Sequence, residues 1–219
     1  MDDLERISTS AILTRSEVAH ILDLPTAKVR RWSEPRAKRP PLLTRAPQGF
    51  GAKPPTIPLL GLSEAAAMKH LVEERKASPQ RLARIVTAAK EQDPLAFARE
   101  GFFTDGTDIF HLLDGQLERT KDQQQTLREV LGQFLRRVNF KDGVMQSFVV
   151  RELPSANVII DPRYASGRPI VDGDGTPIYA ILDELEEGAK AGQIADDFGL
   201  PEKVVADVRR NRRWLAPIA

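Results

Sequence analysis

The chain has 219 residues, of which 41% are hydrophobic and 29% are charged, and it contains no cysteine. This composition suits folded cores, and it excludes both a disulfide framework and a zinc site built on thiolates. The formal net charge is +1, no apolar run approaches the length of a membrane span, and the first residues lack the basic and apolar parts of a signal peptide. We therefore expect a cytoplasmic protein that does not contact a membrane.

The first predicted elements are two short helices joined by a tight turn. Thr14 or Ser16 can cap a helix that runs to about Leu22. A second helix is predicted from about Pro25 to Trp32, because proline fits the first position of a helix, where its missing N–H costs nothing.

The same pattern returns near the other end of the chain, in the same register. A small residue lies where the two helices would cross, a residue that tolerates left-handed backbone forms the turn, and a proline opens the second helix. The corresponding pairs are Ala19 and Ala195, Asp23 and Gly199, Leu24 and Leu200, Pro25 and Pro201, and Val29 and Val205. We interpret both copies as helix-turn-helix motifs, although a helical hairpin inside an all-α core would satisfy the same pattern.

Positive charge is concentrated on and after the first copy. Within residues 25–53, Glu34 is the one acidic residue, against eight basic ones. Such a stripe is the footprint expected for a phosphate backbone, whereas the alternative is a solvated basic loop. Arg30 or Arg31 would read a guanine edge, while Thr26 and Lys28 would hold phosphates. The candidate DNA-binding residues are Thr26, Lys28, Arg30, Arg31, Arg36, Arg39, Arg45 and Lys53.

A small hairpin, or wing, is predicted next. Short β-compatible runs at 42–44 and 56–59 lie on either side of a glycine-rich tip at 49–51. Arg45 and Lys53 would then follow the neighbouring groove. A loose basic loop that becomes ordered only on DNA would satisfy the same residues.

Two helices and a second hairpin complete the first predicted domain. Ser63 is expected to cap a helix over 64–75, and Pro79 opens another over 79–91. The runs 97–103 and 107–113 flank Asp105-Gly106, which is typical of a β-hairpin. In this order of elements, residues from about Leu13 to Leu113 resemble a MerR-like winged helix-turn-helix domain, which implies DNA binding by residues 1–113.

The segment 114–157 is predicted to be a linker that contains an amphipathic helix and strands. Apolar residues at 127, 130, 131, 134, 135 and 138 mark one helix face, which would brace the domains, form a dimer contact or pack in a core. Strands are predicted over 144–153 and 158–160.

The last third of the chain is acidic. Between residues 161 and 200, nine acidic residues oppose three basic ones. The exposed surface of the second copy is expected to carry Glu202, Lys203, Ala206 and Asp207, so groove binding would bring carboxylates close to phosphates. We therefore favour protein contact over DNA for this copy. Possible second DNA or partner contacts are Lys203, Arg209, Arg210, Arg212 and Arg213.

Residues 158–214 carry a second resemblance. The short segments that carry it are, in chain order, Ile160-Asp161-Pro162-Arg163, Gly167-Arg168-Pro169-Ile170-Val171, Gly175-Thr176 with Ile178, Glu187-Gly188, Gln193-Ile194-Ala195 and Val204-Val205. This segment is similar to a homeodomain-like helical family long catalogued as a domain of unknown function and associated with VapB-type antitoxins, which are encoded beside a PIN-like ribonuclease toxin. The family usually has an arginine after its Gly-Thr pair, where this chain has Pro177, so no role of that arginine transfers.

Together the two resemblances imply a mainly α protein with small β-hairpins, in which a winged helix-turn-helix domain precedes a homeodomain-like antitoxin domain at 158–219. Such an antitoxin is expected to neutralise a PIN-like toxin and to repress its own operon by binding the double-stranded DNA operator. A homodimer is expected, because one recognition helix reads too few base pairs. The candidate toxin-binding residues are Asp183, Glu184, Glu186 and Glu187.

Other function classes are less favoured by the sequence. His20, His70 and His111 are scattered, and no phosphate-cradling loop or cysteine nucleophile is present. We therefore expect neither an enzyme nor a bound cofactor or metal. The alternative function is a MerR-like transcription regulator that stands alone, with a C-terminal domain for sensing or oligomerisation.

Overall fold

The computed structural model describes residues 8–35, 41–46, 54–73, 78–104 and 135–219. These residues form mainly α-helices with two small sheets, which is compatible with the predicted mainly α protein with small β-hairpins. They divide into two compact units, with the boundary between Gln146 and Ser147.

The first unit combines a short two-stranded sheet with helices. Its elements are β1 (Ala11–Leu13), α1 (Arg15–Ile21), α2 (Thr26–Ser33), β2 (Ile57–Pro58), α3 (Leu59–Glu73), α4 (Pro79–Gln92), a 3₁₀ turn (Ala96–Ala98), α5 (Glu100–Thr104) and β3 (Val138–Lys141). β1 pairs antiparallel with β2, with Ala11 opposite Pro58 and Leu13 opposite Ile57. This short sheet holds the start of α1 and the start of α3 together.

The second unit contains most of a small sheet and three helices. Its elements are β4 (Val144–Glu152), which crosses the unit boundary, β5 (Asn157–Ile160), a 3₁₀ turn (Ala165–Gly167), β6 (Ile170–Val171), α6 (Ile178–Glu186), α7 (Ala191–Phe198) and α8 (Glu202–Leu215). The strand order is β3-β4-β5-β6, and β4, β5 and β6 pair antiparallel. The strands predicted over 144–153 and 158–160 are thus confirmed.

The start of α1 follows the predicted capping chemistry. The Thr14 hydroxyl accepts a hydrogen bond from the Glu17 N–H, and the Glu17 carboxylate accepts one from the Thr14 N–H. This reciprocal pair satisfies two backbone donors that an uncapped helix would leave open. Thr14 is therefore the cap, and Ser16 lies inside the first turn.

The predicted start of α3 is wrong. The helix begins at Leu59, and Ser63 lies buried within it, where its hydroxyl donates to the Phe97 carbonyl at 2.5 Å. Leu59, Leu60 and Leu62 are all buried, so the first turn is stabilised by core packing in place of a side-chain cap.

The strand predicted over 97–103 is also wrong, since residues 97–98 lie in the 3₁₀ turn and residues 100–103 in α5, with the extended Arg99 between them. The Asp93 carboxylate accepts a hydrogen bond from the Leu95 N–H and starts a turn that leads into the 3₁₀ segment and α5. The rings of Phe97 and Phe102 then pack edge to face, 5.0 Å apart. Residues 105–113 and 127–134 lie outside the described residues, and Val138, predicted on a helix face, begins β3.

The predicted wing differs from the described structure in its pairing. β2 pairs with β1, and residues 42–46 form no strand. One backbone hydrogen bond, from the Ala46 N–H to the Thr56 carbonyl at 3.0 Å, joins the two predicted flanks. The tip at 49–51 lies outside the described residues.

A buried ion pair fixes the segment 41–46 to the helices. The Glu64 side chain is fully buried on α3, and its carboxylate lies 2.9 Å from the Lys90 ammonium on α4. Thr44 donates to Glu64 through both its N–H and its hydroxyl, while Lys90 also donates to the Leu42 carbonyl at 2.7 Å. We call these residues the Glu64 clamp, since they hold the chain next to Arg45 in place.

Gly61 allows this segment to approach α3 closely. A Cβ at Gly61 would lie 2.7 Å from the Thr44 carbonyl oxygen and 2.8 Å from Cγ2 of Ile57. Alanine normally stabilises a helix relative to glycine, but here we expect Gly61→Ala to lower the free energy of unfolding by about 1 to 3 kcal/mol because of overpacking. Urea denaturation checks this. Gly101→Ala is the matched control, since nothing lies within 4 Å of its Cβ, and equal effects at both positions would contradict the prediction.

Candidate nucleic-acid and partner interfaces

The two sequence copies form two pairs of helices with matching turns, which we call the first motif (α1 and α2) and the second motif (α7 and α8). In the first, the Leu24 N–H donates to the Ala19 carbonyl at 2.8 Å, and in the second the Leu200 N–H donates to the Ala195 carbonyl at the same distance. Both alanines are buried. The helices and the turn of each copy therefore lie where the sequence predicts them, except that Pro25 and Pro201 are the N-cap residues before the second helices and not their first helical residues.

The turn residues also behave as the sequence predicts. Asp23 has φ 49° and Gly199 has φ 69°, so both adopt the left-handed backbone that ends the first helix of each motif. After the turn, Pro25 and Pro201 each accept a 2.8 Å hydrogen bond at their carbonyl from a backbone N–H three residues later. The two motifs thus share one local geometry.

The second helix of the first motif presents a basic face to solvent. Thr26, Arg30 and Arg31 are exposed, whereas Val29 and Trp32 are buried in the core. Nothing in the described residues forms an ion pair with either arginine. Both guanidinium groups are therefore available to an anionic ligand.

Two other predicted cations, Lys28 and Arg45, are less exposed to solvent than Arg30 and Arg31. Lys28 is half-buried, and its ammonium lies 5.4 Å from the centroid of the Trp32 ring. Arg45 is half-buried as well, and its Nε is buried without a hydrogen-bond partner in the described residues.

The remaining candidate cations, Arg36, Arg39 and Lys53, lie outside the described residues. Glu34, the single acidic residue of the basic stripe, forms an ion pair with Arg15 at 3.1 Å. This pair neutralises the carboxylate at the C-terminal end of α2.

The second motif differs from the prediction at Asp207. The sequence predicts an exposed carboxylate, but the Asp207 side chain is fully buried. Its carboxylate accepts a hydrogen bond from the Ser155 N–H at 2.9 Å and another from the Arg210 guanidinium. Burial alone would raise the pKa of Asp207, but the hydrogen bonds from Arg210 and Ser155 outweigh it and hold that pKa below its usual value.

This geometry makes Asp207 a source of pH-dependent stability. Because its pKa is lower in the folded chain than in the unfolded one, its contribution is present above about pH 3.8 and is lost as the pH falls through the folded pKa. We expect Asp207→Asn to lower the melting temperature at neutral pH and to have a smaller effect in acid. Thermal unfolding at both pH values checks this, with the exposed Asp196→Asn as control. An effect of Asp207→Asn that is independent of pH would contradict it.

The rest of α8 carries exposed cations. Lys203, Arg209, Arg210, Arg212 and Arg213 are all exposed. Of these, Arg210 is bound to Asp207, while no described carboxylate forms an ion pair with Arg209, Arg212 or Arg213.

Sequence reasoning did not single out Arg151 on β4. Its guanidinium stacks 4.9 Å from the centroid of the Trp214 ring and donates to Asn211 at 3.4 Å. The basic surface of the second unit is therefore larger than α8 alone. Since β4 and α8 are far apart in sequence, no local pattern signals this contact.

The predicted toxin-binding residues lie at the end of α6. Asp183, Glu186 and Glu187 are exposed and Glu184 is half-buried. No cation of the described residues pairs with any of these four carboxylates. Tyr179, which the sequence analysis did not single out, is 43% exposed at the start of the same helix.

The resemblance at 158–214 singled out two further segments. Arg163 and the buried Asp161 form an ion pair at 2.5 Å, so this cation already has a partner within the chain. The hydrogen bond to Asp161 is the main cause that raises the pKa of the Arg163 guanidinium. Pro177, which stands where the related family has arginine, is the N-terminal cap residue of α6.

In the ranges that the structure describes, no three histidine, aspartate or glutamate side chains are grouped so that they could hold a metal ion. None of the described helices has the length and apolar character needed to cross a membrane.

Comparison with known proteins places these features in context. A family described as "Protein of unknown function (DUF433)" matches residues 158–209. The chain is 24% identical over 221 residues to a Mycobacterium tuberculosis protein named "Putative antitoxin VapB45", and the match covers 90% of this chain and 91% of that protein. The X-ray crystal structure of Rv2018 from Mycobacterium tuberculosis shares the fold, with a TM-score of 0.71 and 22% identity over 91% of this chain and 97% of that one.

Proposed function

We propose that this chain is the antitoxin of a type II toxin-antitoxin system. In this proposal it binds and inhibits a PIN-like ribonuclease toxin, and it represses its own operon by binding the operator DNA as a homodimer. The observation that carries the proposal is a sequence similarity that extends over nine-tenths of both chains. The relative is the protein named "Putative antitoxin VapB45". A match of this extent spans most of both units.

The first motif is proposed to be the operator reader. We assign residues 1–113 to a winged helix-turn-helix domain, with α2 as the helix that enters the major groove. Arg30 and Arg31 support this role because they are exposed and lack an ion-pair partner in the described residues. Arginine recognises guanine with two parallel hydrogen bonds, which requires a free guanidinium group.

The acidic end of α6 is proposed to contact the toxin. Residues 158–219 form the antitoxin domain in this assignment, and residues 114–157 connect it to the reader. Four carboxylates close to the C-terminus of a helix repel one another and the negative end of the helix dipole. A cationic partner surface relieves this repulsion, and a ribonuclease needs such a surface along the path of its RNA substrate.

Co-expression with a PIN-like nuclease encoded by an adjacent gene tests the proposal. We expect the nuclease alone to arrest growth, and the chain to restore growth and to copurify with the nuclease. Glu186→Lys with Glu187→Lys should weaken both effects, whereas the control pair Asp196→Lys with Asp197→Lys, also exposed in the second unit, should not. Arrest that persists with abundant folded chain would refute the antitoxin role.

A further inference from the structure

The two motifs share one turn geometry but expose different sides of their second helix. The register that aligns Pro25 with Pro201 also aligns Arg31 with Asp207 and Ser33 with Arg209. In the first motif Arg31 is exposed and Ser33 is buried. In the second the order is reversed, since Asp207 is buried and Arg209 is exposed.

The cause of this difference is the turn between β4 and β5. The Ser155 N–H binds the Asp207 carboxylate, so this turn covers the side of α8 that corresponds to the base-reading side of α2. The other position proposed to read bases in the first motif is Arg30. Its counterpart in the second motif is Ala206, which is half-buried and has no hydrogen-bonding side chain. The second motif therefore lacks the exposed hydrogen-bonding side chains that are proposed to read base edges in the first motif.

What α8 presents instead is a ridge of three arginines, Arg209, Arg212 and Arg213, which we call the arginine ridge. Residues three and four apart lie on the same side of a helix, so Arg209 is next to both of the others. All three are exposed and have no ion-pair partner in the described part of the chain. We propose that the arginine ridge binds the phosphate backbone of duplex DNA without reading its sequence.

The acidic residues around the turn of the second motif do not prevent this binding. Asp196, Asp197 and Glu202 lie at the turn and at the start of α8. At 1.5 Å per residue, the ridge begins about 10 Å further along the helix. This distance exceeds the Debye length of about 8 Å at physiological ionic strength, so exposed charges at the two ends of α8 are largely screened from each other. Asp207, the remaining carboxylate of α8, is neutralised by Arg210.

A purely structural role for the ridge is a weaker explanation. Cations in the last turn of a helix favour the negative end of the helix dipole by about 0.3 to 1 kcal/mol each. Only residues in that last turn gain much from this effect, whereas Arg209 lies six residues before the end of α8 at Leu215. Phosphate binding accounts for all three positions. This inference rests on the proposed function only in requiring that the chain binds DNA.

The salt dependence of DNA binding tests the proposal. The logarithm of the affinity for a scrambled 30-base-pair duplex is measured against the logarithm of salt concentration for the wild type and for the variant Arg209→Ala with Arg212→Ala and Arg213→Ala. Each phosphate contact contributes about 0.9 to this slope, so we expect the slope to decrease by about 2.7. Affinities for operator and scrambled DNA should fall by the same factor.

Two control variants separate phosphate binding from other roles. Arginine to lysine at the same three positions keeps the charge and should keep the slope, because the slope depends on the number of phosphate charges that are neutralised. Arg84→Ala with Arg136→Ala and Lys141→Ala removes three exposed cations elsewhere and should leave the slope nearly unchanged. A melting temperature close to that of the wild type shows that the alanine variant is folded. If the alanine variant does not fold, a variant with glutamine at the three positions is measured in its place.

Several results would overturn the inference. These are a wild type that does not bind scrambled duplex, an unchanged slope in the alanine variant, a loss confined to the operator sequence, or loss of nuclease binding with DNA binding intact. The last result would make the arginine ridge a protein-binding surface. None of them would by itself remove the antitoxin proposal, which fails on the co-expression test instead.

Discussion

Replacing Arg30 and Arg31 with alanine is expected to weaken operator binding by about 30-fold or more. Each bidentate contact to a base is worth about 1 to 3 kcal/mol, and 1.4 kcal/mol corresponds to a factor of ten in affinity. Both side chains are exposed, so their loss leaves the core around Val29 and Trp32 intact. An electrophoretic mobility shift with the promoter of the chain's own operon measures the effect.

The control for this prediction is loss of two exposed cations outside both motifs, Arg136→Ala with Lys141→Ala. That variant has the same net charge and should bind the operator with affinity close to the wild type. The preference for operator over scrambled DNA should decrease only in the Arg30 and Arg31 variant. Equal operator affinity for both variants would show that α2 is not the reader.

Breaking the Glu64 clamp is expected to have the largest effect on stability. Lys90→Met removes the cation that pairs with the fully buried Glu64 carboxylate. An uncompensated buried charge costs about 3 to 5 kcal/mol, a large fraction of the stability of an ordinary domain. The urea-induced unfolding transition of the first unit measures the loss in the free energy of unfolding.

A double variant distinguishes lost charge pairing from lost packing. Adding Glu64→Gln to Lys90→Met removes the buried charge and keeps an oxygen that can accept from Thr44. We expect the double variant to be more stable than Lys90→Met alone by at least about 1 kcal/mol. A double variant that is less stable than either single variant would show that the pair contributes no charge-specific stabilisation.

The Glu64 clamp also has a pH dependence of defined sign. Burial raises the pKa of Glu64 above 4.5, although the Lys90 charge and the hydrogen bonds from Lys90 and Thr44 lower it in part. The folded chain thus holds this proton more tightly than the unfolded chain does. Its contribution to stability is full below about pH 4.5 and decreases as the pH rises through the folded pKa.

Local features of the fold were predictable from sequence, because their causes lie within a few residues. The Thr14 cap, the left-handed turns at Asp23 and Gly199 and the helices after Pro25 and Pro201 all follow from side-chain chemistry and backbone preference. For the same reason Arg30 and Arg31 of α2 were found and lie exposed at the predicted positions, whereas Lys28 is half-buried.

Features with distant causes were not predictable. Asp207 is buried by a contact with Ser155, 52 residues earlier, and β2 pairs with β1, more than 40 residues earlier in the chain. The start of α3 depends on the burial of its leucines and on the contact between Ser63 and Phe97. Hydrophobic periodicity and capping rules carry no information on such pairings, so the different exposed faces of the two motifs became visible only in the structure.

Titration of the adjacent PIN-like nuclease with the purified chain tests the central claim most directly. The rate of RNA cleavage is measured as the chain is added at increasing ratios, and size-exclusion chromatography determines the stoichiometry of the complex. We expect cleavage to decrease to the background at a fixed molar ratio, with the chain and nuclease eluting together. Full cleavage in the presence of excess folded chain, with no complex formed, would contradict the proposal that this chain is an antitoxin.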